Sequence, residues 1–213
     1  MKTLINPVTD ARKPRVSDAR DRRILKGMMS LGGQPPALVD ELEAIFANTD
    51  SKQMPAIARL AVETAMRRSE IMALTWECVR LDKRTAKITD SKNGEGRTIP
   101  LTTAAVKNLE AVTKRKGDNR VFDMSLDAVS RAFARARDRA RSKYLAEDNV
   151  ADAFERAHFL VDLRFHDLRH EAASNLMKYI PGLEIAKVTG HKDIHMVMRY
   201  INPNAEEQAL RLP

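Results

Sequence analysis

Soon after Gln34-Pro35-Pro36 the chain settles into a helical rhythm. Leu38, Leu42 and Ile45 share one face, and Ile57, Leu60, Ala61, Thr64 and Ala65 share another behind Pro55, whose fixed φ suits a first helical position. A third short helix is expected from Arg68 to Thr75. The period then shortens. Val79-Arg80-Leu81, Ala86-Lys87-Ile88-Thr89 and Arg97-Thr98-Ile99 read as short strands, divided by Asp82-Lys83-Arg84 and by the strong turn signal Asn93-Gly94-Glu95-Gly96. A small antiparallel sheet follows, with Lys92 beside its second turn.

Beyond Pro100 the helical period returns and stays. Ala105, Leu109 and Val112 form a stripe behind Thr102 or Thr103 as cap, and Leu126, Val129, Phe133, Ala136 and Ala140 form another behind Ser125. Arg131, Arg135 and Arg139 line a neighbouring face of that helix, where they can either follow a phosphate backbone or serve as a solvated surface. Residues 142–164 are more acidic and weakly patterned, and carry no functional reading. Helices are expected again at His166–Tyr179, with Leu168, Ala172 and Leu176 inward, at Leu183–Val188 ending on Gly190, and at Asp193–Tyr200. The expected fold is therefore mainly α with a small three-stranded antiparallel β-sheet.

Residues 1–33 differ from all of this. They are polar and basic, contain Pro7 and Pro14 and show no sustained apolar period, so they read as a linker or arm before a main domain at 34–213. A chain of 213 residues can bury a substantial core. Its net charge of +8 and pI of about 9.7 favour a polyanionic partner, with nucleic acid preferred over a membrane surface. No apolar run approaches the roughly 18 residues of a membrane span, and Met1–Pro14 lacks a secretory core, so a cytoplasmic setting is expected. The single cysteine, Cys78, allows neither an intrachain disulfide nor a cysteine-rich zinc cluster.

The chemistry-bearing residues gather late in the chain: His166 and Arg169 in Phe165-His166-Asp167-Leu168-Arg169-His170, His191 after Gly190, and Tyr200 after Arg199. Metal-free cleavage of a phosphodiester needs a nucleophile, neutralisation of the two nonbridging oxygens and a proton for the departing oxygen. Guanidiniums stay charged and can donate two parallel hydrogen bonds to one phosphate, which suits Arg169 and an upstream arginine, Arg67 or Arg68. His166, three residues before Arg169, can reach the same anion from one helix. His191 can donate to an oxygen or hold the nucleophile. Tyr200, Tyr144 and Tyr179 are the available phenols, and with a free pKa of about 10 a phenol needs a base and a positive field to attack. Lys92, near arginines that lower its pKa, suits the general acid. His166 with His170, and His191 with His195, also have the i, i+4 spacing of zinc ligands, but no carboxylate or cysteine stands ready to complete such a site.

In order and interval, these stretches resemble the catalytic domain of the tyrosine recombinases, the phage-integrase-type enzymes. The resemblance runs through Thr64-Ala65-Met66-Arg67-Arg68-Ser69-Glu70, Leu74-Thr75-Trp76, Lys92-Asn93-Gly94, Arg97-Thr98-Ile99-Pro100-Leu101, the His166 to His170 segment, Gly190-His191 and Arg199-Tyr200, about residues 64 to 203. It selects Arg67 over Arg68, because the family's first arginine stands three residues before an acid, here Glu70. It implies that Tyr200 attacks DNA to give a 3′-phosphotyrosine, that Arg67, His166, Arg169 and His191 bind and activate the phosphate, and that Lys92 protonates the 5′ oxygen. No cofactor and no metal are then needed. The implied partners are double-stranded DNA and further copies of the chain, a homotetramer on paired sites, for integration, excision or inversion in a bacterial or phage setting.

Three departures stand out. Ala65 replaces the family's frequent glycine, Met196 and Val197 replace small hydroxyl residues, and the helical core-binding domain that usually precedes the catalytic domain is expected to be absent. Two other functions fit parts of the set: relaxation of supercoils by a type IB topoisomerase, and non-enzymatic DNA binding.

Overall fold

A computed structural model describes residues 22–29, 37–89, 96–146 and 157–190. Among these the architecture is mainly helical with one three-stranded antiparallel sheet, as the hydrophobic pattern predicts. The helices are α1 (Glu41–Ala47), α2 (Met54–Thr64), α3 (Arg68–Met72), α4 (Thr103–Glu110), α5 (Leu126–Ala146), α6 (Asp167–Leu176) and α7 (Gly182–Thr189). A short ribbon pairs β1 (Lys26–Met29) with β2 (Ala37–Asp40), and the sheet orders β3 (Val79–Arg80), β4 (Thr85–Ile88) and β5 (Arg97–Pro100) in sequence. The expected helix at Asp193–Tyr200 lies outside the described residues.

Helix α2 is the centre of the domain. Ile57, Ala58, Leu60 and Ala61 are all buried, and α4, α5 and α6 pack around it. Its small residues let α6 come close through Ala172 and Ala173, which are also buried. Helix α5 supplies Val129, Phe133 and Ala136 to the same core. The weakly patterned stretch before His166 proves to be part of it: Phe159, Leu160, Leu163 and Phe165 are buried, and Phe165 meets Phe133 edge to face at 5.6 Å. Two arginines of α5 tie this stretch down by donating to its carbonyls, Arg137 to Leu163 at 2.9 Å and Arg141 to Phe159. Left-handed Leu160 and Asp162 bend it, which explains why it carries no sequence period.

Two differences from the sequence expectation concern the N-terminal region. Leu38 does not extend the first helix, because Asp40 caps it by accepting from the amides of Leu42 and Glu43 and residues 37–40 pair as a strand. Residues 22–25, read as part of a basic linker, are docked. Ile24 is buried, Arg22 pairs with the buried carboxylate of Glu41, and Arg23 donates to both oxygens of Glu171 at 2.8 and 3.2 Å. The amides of Leu25 and Ile24 complete those carboxylates at 2.8 and 3.2 Å. One apolar residue and two distant acids leave no periodic trace in the sequence.

Helix α2 ends at Ala65, which adopts a left-handed conformation with φ 55° and ψ 21° and is fully buried. This is the position where the resembled family frequently has glycine, and a left-handed backbone favours glycine because a Cβ in this region meets the following carbonyl. The smallest side chain with a Cβ is retained, and its methyl packs with Ala172, Ala173, Leu176 and Ile185. We predict that Ala65→Gly changes unfolding free energy by less than about 1 kcal/mol, because relief of strain offsets the lost methyl and the freer unfolded backbone. Ala65→Val loses about 2–4 kcal/mol by combining a β-branched left-handed residue with overpacking. Urea unfolding of the two variants tests both.

Candidate active site

The left-handed turn at Ala65 throws the chain back on itself, buries Met66 and leaves Arg67 in extended geometry at the N-terminus of α3. Glu70, three residues on, accepts the Arg67 amide on Oε2 at 2.8 Å and Arg67 Nη1 on Oε1 at 2.9 Å. A carboxylate in the first turn of a helix is favoured there in any case. Across the domain, Asp167 accepts the Arg164 amide at 2.7 Å and starts α6. His166 then stands at the N-terminal boundary of that helix, with Arg169 one turn inside. The third contribution is the end of α7, where Gly190 takes φ 69° and closes the helix.

These three pieces meet. Arg169 is buried and donates Nη1 to the Ala65 carbonyl and Nη2 to the Thr189 carbonyl at 2.6 Å. Arg67 donates Nη2 to the very next carbonyl, that of Gly190, at 3.0 Å. A third guanidinium joins them from the sheet. Arg97 donates Nε to the Val188 carbonyl at 2.8 Å, and its two terminal nitrogens grip Glu70 Oε1 and Oε2 at 2.9 and 2.8 Å. Three consecutive carbonyls at the C-terminus of one helix thus receive three arginines, in the order 97, 169, 67. The negative end of the helix and the Glu70 carboxylate hold together cations that would otherwise repel.

Gly190 is required twice over. Its φ favours glycine, and a Cβ built on it would lie 3.1 Å from Arg97 Nη1 and 3.2 Å from Cζ. His191 follows it directly in the chain.

Glu70 has 2% of its side chain exposed. Burial pushes its pKa up, but the hydrogen bonds from Arg97 and the Arg67 amide and the Arg97 charge outweigh that and hold the carboxyl below its ordinary value of 4.5. His166 also lies below its ordinary value of 6.5, which for an imidazole favours the neutral form. Desolvation by the surrounding protein, then the neighbouring His170 ring, Arg169 and Arg67 all disfavour its cation, with only Asp167 opposing. The His166 and His170 rings lie 5.2 Å apart, edge to face. At neutral pH His166 is therefore an uncharged donor and acceptor beside the arginines, able to take up a proton when an anion arrives.

Of the residues singled out in the sequence, Arg67, Glu70, His166 and Arg169 come together. Lys92, His191 and Tyr200 lie outside the described residues. Arg67, rather than the adjacent Arg68, makes the bonds to Glu70 and Gly190. Among the described residues no group of three or more histidine, cysteine or acidic side chains is placed to hold a metal ion, and no helix is long and apolar enough to cross a membrane. The residue that sequence reasoning missed is Arg97. Its signal was present in part: an arginine at the strand position opposite Ile88 and two before buried Ile99 faces inward, which an arginine does only with partners. On α5, Arg131 and Arg135 are exposed, and exposed Arg139 pairs with Asp50 at 2.6 Å.

The phage integrase family model matches residues 34–207. The shufflon-specific DNA recombinase of Escherichia coli is 31% identical over 209 residues, covering 97% of this chain and 47% of that protein. Two solved structures share the fold. The catalytic domain of bacteriophage HP1 integrase has a TM-score of 0.54 at 23% identity, over 81% of this chain and 90% of that one. The XerA recombinase has a TM-score of 0.59 at 16% identity, over 86% and 67%. The chain spans about half the length of the curated relatives it matches.

The arginine cluster predicts a pH signature. The folded pKa of Glu70 lies below its unfolded value, so the stability it contributes is fully present above pH 4.5 and is lost as pH falls through the lowered folded value. We expect Glu70→Gln to lose about 3 kcal/mol at neutral pH, since one partner of a buried pair is removed. Urea unfolding across a pH series should show that gap narrowing below the ordinary carboxylate range.

Proposed function

The chain belongs to the phage integrase family, and on that premise we propose that it cleaves and rejoins DNA strands at specific sites through a 3′-phosphotyrosine. Support comes from one observation above all: Arg67 and Arg169 are held on the adjacent carbonyls of Gly190 and Thr189, beside His166. Two guanidiniums match the two nonbridging oxygens of a single scissile phosphate, and their planes are fixed before substrate arrives. Groups held in place in this way need little reorganisation as charge develops on phosphorus.

In this mechanism the neutral His166 imidazole takes the phenolic proton of Tyr200 as the phenolic oxygen attacks phosphorus in line with the 5′ oxygen. A P–O bond to tyrosine forms as the P–O5′ bond breaks. Arg67 and Arg169 neutralise the pentavalent phosphorane, while His166 and His191 donate to its oxygens and steady the nucleophile. Lys92 hands its proton to the departing 5′ oxygen. The phosphotyrosine conserves the energy of the broken bond, so a 5′ hydroxyl from a second strand reverses the step and restores the phenol. Neither ATP nor a metal enters the sequence of steps.

Two features of assembly belong to the same proposal. Four copies act on two paired DNA sites, with residues 202–213 of one copy docking on the next, and residues 1–33 lead into the domain, to which residues 22–25 are fastened. The exposed arginines Arg131 and Arg135 are placed to follow a DNA backbone, each contact adding to the salt dependence of binding.

We predict that Tyr200→Phe binds duplex DNA as the unsubstituted chain does but forms no covalent adduct on a nicked suicide substrate, read by denaturing electrophoresis. An adduct surviving that change moves the nucleophile elsewhere. Lys92→Ala should slow adduct formation by about 100–10,000-fold, the usual worth of a general acid. Replacing the 5′ bridging oxygen by sulfur, which leaves as a thiolate without a proton, should restore most of the rate, and failure to restore it removes Lys92 from the acid role.

A further inference from the structure

Arg97 touches every part that fixes Arg67. Glu70 Oε1 accepts from Arg97 Nη1 and Arg67 Nη1, both at 2.9 Å, and Glu70 Oε2 accepts from Arg97 Nη2 and the Arg67 amide, both at 2.8 Å. The remaining donor of the fork, Nε, binds the Val188 carbonyl, two residues before the Gly190 carbonyl that holds Arg67 from the other side. Arg97 has 11% of its side chain exposed, and Gly190 packs against its guanidinium. Strand register places it there: Arg97 pairs with Ile88 on the inward face of β4–β5, and Lys92 lies in the chain between those two positions.

We propose that Arg97 is a positioning residue for the phosphate-binding site, an inference that rests on the function given above. Its guanidinium locks the Glu70 carboxylate in one rotamer and ties α3, the β4–β5 hairpin and the end of α7 into a single body, so that Arg67 meets the phosphate in a fixed plane. Lysine cannot replace it. A single ammonium nitrogen does not span two carboxylate oxygens and a carbonyl at once. Loss of the fork frees Glu70 to turn, and Arg67 turns with it while remaining charged and near the DNA.

The test compares the unsubstituted chain with Arg97→Lys and Arg97→Ala, each checked for folding by urea unfolding. Single-turnover adduct formation is followed at saturating nicked suicide substrate, alongside equilibrium DNA binding. Arg97→Lys should lower the adduct rate about 100-fold, the scale of a misplaced reacting group. Its DNA affinity should change by less than about tenfold, because affinity is spread over many phosphate contacts. Millimolar guanidinium ion should recover Arg97→Ala and leave Arg97→Lys unimproved. A readout independent of catalysis is the Nε–H resonance of Arg67, which should shift and broaden in Arg97→Lys. A folded Arg97→Lys with an unchanged Arg67 resonance overturns the proposal, whatever its rate. If Arg97→Lys does not fold, absence of guanidinium recovery in Arg97→Ala overturns it instead. Should the unsubstituted chain form no adduct while the Arg67 resonance still responds to Arg97→Lys, the strand-cleavage function fails and the positioning role stands.

Discussion

The site depends on the C-terminal end of one eight-residue helix. Peptide dipoles leave the last carbonyls of α7 partly negative and without helical partners, and Val188, Thr189 and Gly190 each receive a guanidinium there. The three arginines come from β5, α6 and the turn before α3, which are far apart in sequence. Bringing three cations within bonding distance of one short backbone segment would be prohibitive in an apolar interior. Here the carbonyls and the buried Glu70 carboxylate supply the compensating charge and acceptors, so that burial and hydrogen bonding work together. What remains is a net positive, largely buried cluster.

The same device recurs where residues 22–25 dock. Glu41 and Glu171 are buried carboxylates whose oxygens are taken up by Arg22, Arg23 and the amides of Ile24 and Leu25. Burial raises the Glu171 pKa, yet the Arg23 hydrogen bond, the Ile24 amide and the Arg23 charge bring it below the ordinary glutamate value, so this anchor too is present at neutral pH. Glu171 lies two residues beyond Arg169 on α6. Residues 22–25 are therefore fastened to the helix that carries His166 and Arg169 by the Arg23 ion pair and the Ile24 amide.

The elements that could be read in advance were those with a strong local signature. Helix α2, helix α5 and the strands β4 and β5 are repeated apolar positions bounded by Pro55, Ser125 and turn residues. Arg67, Glu70, His166 and Arg169 were legible for a different reason: His166 and Arg169 stand i to i+3 on one predicted helix, and the family resemblance pairs Arg67 with Glu70 at the same interval. Arg97 and the docking of residues 22–25 escaped, since an inward arginine is interpretable only once its acceptors are known, and those acceptors lie in other parts of the chain.

The sequence alone thus determined the helical class, the small sheet, the family and the candidate residues for phosphate chemistry, because each is written in local periodicity or in short ordered motifs. Only the tertiary structure decided why position 65 favours a residue without a large side chain, what holds Arg67 in place, and that Arg97 joins the cluster. Those outcomes hang on a left-handed backbone angle, on strand register and on three carbonyls at a helix end. They arise from long-range packing that no window of consecutive residues contains.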